Sequence, residues 1–155
     1  MELETRSLCL TNQVGYVTHL PKDWSYPSLC QEVFKSAQNF IFDLLDMGFY
    51  SDGPVYFRSS PFSRSSARRQ ELFIFTTFGN AFERVKENTS SILFQETVLV
   101  KSKGYTRIRP EELGDYYQTL SQQYSQAELE AILIYHVLFY QGEDLMVDVY
   151  SEVEV

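Results

Sequence analysis

A short pattern that occurs twice constrains the fold of this chain more than any other feature of its sequence. The two copies lie 89 positions apart and are Gly15-Tyr16 with Pro21, and Gly104-Tyr105 with Pro110. Each copy follows a strand-like segment, 7–11 or 97–100, and precedes a helix-like one, so the order of elements supports a repeat more strongly than the short match does. The sequence therefore predicts two diverged β-α-β-β units.

The chain is long enough to hold both units in one domain. With 155 residues, of which 44% are hydrophobic, it can bury about 70% of its unfolded surface without help from a metal or disulfide. We predict a single α+β domain at 1–155, with repeat one at 5–78, a polar linker at 79–91 and repeat two at 92–155. The two units should form one antiparallel sheet.

Apolar residues at three-to-four spacing predict a helix in each unit. The first runs from about Pro27 to Gly48, and the second, shorter and more polar, starts just past Pro110 and reaches Tyr124. Two strand-like runs follow each helix. These runs are 54–58 and 71–78 in the first unit, and 135–140 and 145–155 in the second.

Alternation along the last run divides the sheet residues between two faces. Superposing the two hairpins places Val55, Phe57, Val137 and Phe139 on a wholly apolar face, which should pack against the helices. The opposite face then collects Tyr56, Phe73, Phe75, His136, Leu138, Met146, Asp148 and Tyr150. Such an aromatic face predicts a binding groove or an interface, unless the linker, the long loop or a second copy covers it.

Charge is distributed unevenly. The net charge is −8, which argues against nucleic acid as a partner, yet four arginines and no acid fall within 58–69. They are Arg58, Arg64, Arg68 and Arg69. This segment is either a solvated hairpin tip or an anchor for an acidic partner.

Several kinds of chemistry find no support in the sequence. Neither histidine has a neighbouring Cys, Asp or Glu at metal-ligand spacing, and no nucleotide-binding or GxSxG motif occurs, so we expect no metal, no cofactor and no catalytic residue. Cys9 and Cys30 fit neither a zinc site nor a redox pair. The acidic N-terminus and the lack of an apolar run of about 20 residues predict a cytoplasmic protein that does not enter membranes.

Three segments carry a resemblance to a known family. They are Gly53-Pro54-Val55-Tyr56-Phe57, Glu71-Leu72-Phe73-Ile74-Phe75 and Tyr135-His136-Val137. With the β-α-β-β pair they resemble the GyrI-like superfamily, also called the effector-binding or SOUL-like fold. Within it, the chain looks most like a stand-alone branch encoded in Firmicutes beside LXG toxins of the type VII secretion system.

The resemblance implies two helices on one face of an antiparallel sheet and a cleft on the other. GyrI-like drug sensors often place a glutamate for cationic ligands on the first strand of the second hairpin, but 135–139 contains none. Asp148 on the neighbouring strand is the remaining acid for that role, or else it bonds to Tyr150 or Tyr56. His136 is either an acid-base group or, as we expect, a packed and hydrogen-bonded one.

Three functions follow as hypotheses. The first is a non-enzymatic protein-binding accessory factor of a toxin locus, acting in immunity or as a chaperone or adaptor. The second is a small-molecule binder that holds an apolar or cationic ligand in the aromatic cleft, and the third is a hydrolase. We expect the first, with a protein partner or a small ligand and a monomer or homodimer as the assembly.

Overall fold

A computed structural model describes residues 1–63, 68–78 and 92–153. The helices within these residues are α1 (Tyr26–Asp46), α2 (Leu113–Gln123) and α3 (Gln126–Ala131). The strands are β1 (Glu4–Leu10), β2 (Gln13–Pro21), β3 (Val55–Ser59), β4 (Arg69–Thr77), β5 (Leu93–Gln95), β6 (Val98–Ile108), β7 (Ile132–Gln141) and β8 (Asp144–Val153). The predicted linker lies outside the described residues.

All eight strands form one antiparallel, curled sheet in the order β1-β6-β8-β7-β3-β4-β2-β5. The two halves are arranged symmetrically, with β1, β2, β3 and β4 corresponding to β5, β6, β7 and β8. Exchanging each strand for its counterpart gives the order read from the opposite edge, and β3 and β7 pair at the centre. The α+β class and the single sheet are therefore confirmed. Each half also contains one strand more than predicted, which is β2 in the first half and β5 in the second.

The repeated glycines lie inside β2 and β6. Gly15 follows the strand predicted at 7–11, which is β1, whereas Gly104 lies within the strand that was predicted to end at residue 100. A β-carbon on Gly15 would overlap the carbonyl oxygen of Ile74 on β4, and one on Gly104 would overlap the Oγ of Ser151 on β8. Strands β4 and β8 occupy equivalent places in the two halves. The repeated pattern thus marks two equivalent sites where neighbouring strands approach too closely for a side chain.

Local capping explains where the helices begin and end. The Oγ of Ser25 accepts the Ser28 amide at 3.3 Å at the start of α1, and Pro27 occupies the first turn, where a missing N–H costs nothing. Gly48, just past the end of α1, has a φ of 86°, a conformation that favours glycine. Helix α3, which the sequence did not predict, begins with a capping box of Ser125 and Glu128.

The main core lies between the helices and one sheet face. Val55 and Phe57, predicted to face the helices, do so. The prediction for β7 is wrong by one residue: His136 and Leu138 face the helices, whereas Val137 and Phe139 face the other way. Both faces of β7 are apolar, so the alternation of residue types could not show which face packs against the helices. A shift of one residue in register moves every side chain to the opposite face.

None of the helices in the described chain combines the length and apolar character needed to span a bilayer.

Candidate functional site

The sheet face opposite α1 and α2, here called the concave face, is a second core over its centre. Its buried members are Leu10, Tyr56, Phe73, Phe75, Val100, Tyr105, Tyr135, Val137 and Tyr150, with Leu8, Leu93, Val98, Leu133 and Phe139 packed against them. Because the sheet curls, side chains from β1, β5 and the start of β6 lie over the central strands. The predicted aromatic face exists, but its centre is closed by these side chains.

Aromatic rings order this face. Tyr56 stacks on Phe75 with centroids 5.0 Å apart, and Phe75 stacks on Phe73 at the same distance. On the other half, Tyr105 and Tyr150 lie 4.8 Å apart. The rings are therefore fixed by one another, and a ligand would not need to order them on binding.

Asp148 forms a two-pronged ion pair with Arg107. The Nε of Arg107 lies 2.7 Å from Oδ1 of Asp148, and its Nη2 lies 3.0 Å from Oδ2. The carboxylate is buried, and its hydrogen bond raises the pKa of the Arg107 guanidinium. The partner is thus neither Tyr150 nor Tyr56, and the negative charge proposed for a cationic ligand is already neutralised.

Arg107 was not predicted as a site residue, because the predicted strand at 97–100 ended before Gly104. Once β6 is known to run from Val98 to Ile108, antiparallel pairing with β8 puts Arg107 directly opposite Asp148. A long alternating strand at 98–108 was the signal that could have identified the pair.

Three arginines cover aromatic rings of the concave face. The guanidinium carbon of Arg6 lies 4.6 Å from the centroid of Tyr105, and that of Arg107 lies 4.8 Å from Phe139. Arg58 lies 4.9 Å from Phe73 and 6.0 Å from Tyr135. Arg58 was predicted as part of a partner-binding loop; it is instead the fourth residue of β3 and belongs to this face.

A cavity of about 850 Å³ opens where β3 and β4 enter their connecting segment. Its lining from the concave face is Val17, His19, Arg58, Arg69, Glu71, Phe73, Leu93, Gln95 and Leu133. From the other side of the sheet it is lined by Lys22, Tyr26, Leu29, Phe57, Ser59 and Tyr117, among others. The lining thus combines apolar side chains with polar and charged ones that can orient a ligand.

The described site residues among those predicted are divided among this cavity, the closed centre and the helix face. Phe73, Arg58 and Arg69 line the cavity. Five others lie elsewhere, Tyr56, Phe75, Asp148 and Tyr150 in the closed centre and Leu138 on the helix face. Arg64 lies outside the described residues, and Arg68 is at the end of the described segment, where its carbonyl accepts the Lys22 amide at 3.0 Å.

His136 is a structural histidine on the helix face. Its ring stacks on Phe57 with centroids 3.9 Å apart, and its Nδ1–H donates to the Phe57 carbonyl at 3.2 Å. The Nε2 therefore accepts from the Tyr117 hydroxyl at 2.7 Å. Complete burial lowers the pKa of His136 to about 3, so the ring is neutral, as the packed and hydrogen-bonded alternative required.

Comparison with known proteins adds one fold-level relationship. No family model and no curated protein matches the sequence. Among solved structures, the structure of SAV2435 bound to tetraphenylphosphonium is similar over 99% of this chain and 94% of that chain, with a TM-score of 0.54 and 8% sequence identity. This likeness supports the fold that the GyrI-like resemblance implied, and at so low an identity it supports nothing finer.

Proposed function

We propose that this chain is a small-molecule-binding protein without catalytic activity, and that its ligand enters the cavity at the end of β3 and β4. The cavity is the observation that carries the proposal. Its volume of about 850 Å³ falls within the roughly 300–1,000 Å³ that ligand pockets occupy. The ligand-bound structure of SAV2435, which has a similar fold, is consistent with this function as an analogy at the level of the fold.

The lining of the cavity suits a compact apolar ligand. Val17, opposite Phe73 in the pairing of β2 with β4, keeps 43% of its surface exposed. Leu93 and Leu133 are half-buried at the margin of the second core. Removing these apolar surfaces from water would favour binding at about 25 cal/mol per Å² before the costs of association.

The absence of catalysis is proposed from the state of the titratable groups in the described chain. His136 is buried, neutral and hydrogen-bonded at both nitrogens, so it offers no site to a substrate proton. Asp148 is held by Arg107. Glu71 is exposed and faces His19 at 3.5 Å. A hydrolase would need a positioned base and donors for developing charge.

The accessory role at a toxin locus stays a prediction, because neither the fold nor the comparisons bear on it.

Filling the cavity provides the test. Val17→Trp adds a large ring to an exposed lining position, and Leu99→Trp is the control, since Leu99 is 54% exposed on β6 and does not line the cavity. Aromatic compounds of neutral, cationic and anionic type would be screened by thermal shift and measured by calorimetry. We expect a bound compound to lose at least about tenfold in affinity with Val17→Trp only. Equal affinity for both variants would refute the location, and a panel without a binder would refute the function.

A further inference from the structure

The charges around the cavity are opposite to those of the protein as a whole. The chain carries −8, but the described residues that line the cavity include Arg58 and Arg69 and, among acids, Glu71 alone. That acid already faces His19 at 3.5 Å. A ligand in the cavity therefore meets a positive local field, in a protein that otherwise repels anions.

Arg58 is the best-placed cation for contact with a ligand. Its guanidinium lies over Phe73, another lining residue, and is half-buried at the end of β3. Within the described residues no carboxylate pairs with it. A guanidinium stacked in this way keeps its positive charge and its N–H edges available to an anionic ligand.

Arg69 lies on the same face of β4 as Phe73, at the mouth of the cavity. Its one hydrogen bond in the described chain is a long contact of 3.5 Å from Nη1 to the carbonyl of His19. Within the described residues, Arg69, like Arg58, therefore has no carboxylate as a partner. Arg58 and Arg69 offer two uncompensated positive charges beside one apolar wall.

The N-terminus of α1 strengthens this field. Tyr26, its first residue, lines the cavity, and the first turn of this 21-residue helix contains no acidic residue. The first turn therefore places no carboxylate against the positive end of the helix dipole. A negative group in the cavity would gain from it.

A lipophilic cation would find the opposite conditions. Aromatic faces attract cations, but those of Phe73, Tyr105 and Phe139 are already covered by the protein's own arginines. The buried carboxylate of Asp148 is paired with Arg107. These three rings and Asp148 therefore offer little attraction to a further cation, and the carboxylate that remains among the described lining residues, Glu71, faces His19.

We propose that the ligand is an organic anion with an aromatic or other apolar body, its charge bound by Arg58 and Arg69 and its body packed on Val17 and Leu93. This inference rests on the proposed function, because it names the ligand class of the same cavity. It also separates the chain from SAV2435, whose structure holds a lipophilic cation.

Tetraphenylborate and tetraphenylphosphonium provide the test, because they have the same shape and opposite charge. Calorimetry on the full chain at low salt should give an affinity at least about tenfold higher for tetraphenylborate, a preference of about 1.4 kcal/mol. Arg58→Gln should remove most of this preference, and Arg58→Lys, which keeps the charge, should retain most of it. Arg109→Gln is the control, since Arg109 is exposed, pairs with Asp144 and does not line the cavity.

Each other outcome has a definite meaning. Equal or tighter binding of tetraphenylphosphonium would overturn the charge inference and leave the proposed function intact. A preference for tetraphenylborate that survives both Arg58→Gln and Arg69→Gln would overturn the assignment to these arginines. Binding of neither ion would count against the inference and, with the compound panel negative as well, against the proposed function.

Discussion

Arg107 holds Asp148 through two hydrogen bonds, of 2.7 and 3.0 Å, across β6 and β8. The two residues are unequally buried, since 47% of the Arg107 side chain is exposed but only 10% of the Asp148 side chain. The ion pair therefore serves mainly to keep a carboxylate among aromatic rings. Replacing Arg107 and replacing Asp148 should therefore have different effects on stability.

Arg107→Leu should destabilise the protein more than Asp148→Asn does. The first change leaves a buried carboxylate without its partner, at a cost of about 3–5 kcal/mol, whereas the second leaves an arginine that can turn toward water. Urea denaturation at neutral pH would measure both free energies of unfolding, and the double variant should lose less than the sum of the two. An equal cost for the single variants would show that Asp148 is not held by this pair.

His136 should make the protein sensitive to acid. Its pKa is about 3 in the folded state and about 6.5 in the unfolded state, so below pH 6.5 the unfolded chain binds a proton that the folded chain does not. Stability is full above pH 6.5 and is lost toward pH 3, by up to about 1.4 kcal/mol per pH unit. His136→Gln should reduce this slope between pH 6 and 4.5. Identical slopes in the two proteins would contradict the assignment.

Alanine at either repeated glycine should destabilise the protein, but a second substitution should restore stability at only one of the two positions. Gly15→Ala places a β-carbon against the Ile74 backbone, which cannot move aside, so we expect a loss of more than about 3 kcal/mol. Gly104→Ala meets a side-chain atom, the Oγ of Ser151. Adding Ser151→Ala should therefore recover stability in the Gly104→Ala background but not in the Gly15→Ala background. Thermal denaturation of the four variants would decide this.

Neither half of the chain should fold alone. β1 of the first half pairs with β6 of the second half, and β5 of the second half pairs with β2 of the first. The halves also meet through β3 and β7. A fragment of residues 1–78 would expose strand edges on β1, β2 and β3. We expect no cooperative thermal transition from this fragment or from 79–155, and a cooperative transition when the two are coexpressed. Cooperative unfolding of either fragment by itself would refute the interdependence.

Features that depend on neighbouring residues in the chain were predictable from the sequence. The spacing of apolar residues and the positions of Pro27 and Gly48 predict α1, which runs from Tyr26 to Asp46. Alternation in the last run predicts β8 and its two faces correctly, since only one of those faces is uniformly apolar. Local periodicity is sufficient in these cases because each element has a single face that can be buried.

Strands β2 and β5 escaped prediction for a different reason. β5 is only three residues long, and β2 contains Gly15 and ends at Pro21, two residue types that usually signal a turn. Their place in the sheet depends on β4, which pairs with β2 along nine residues. Such long-range pairing leaves no periodic trace in a short segment.

The sequence by itself determined the α+β class, the duplicated plan, the two main helices and an aromatic composition for one sheet face. Only the tertiary structure decided the register of β7, the pairing of Asp148 with Arg107 and the placement of Arg58 beside Phe73. These three relationships join residues on different strands. A shift of one residue in register would move the side chains to the opposite face and so remove each of them. The candidate site depends on such relationships, because its lining residues come from β2, β3, β4, β5 and β7, which meet only in the folded sheet.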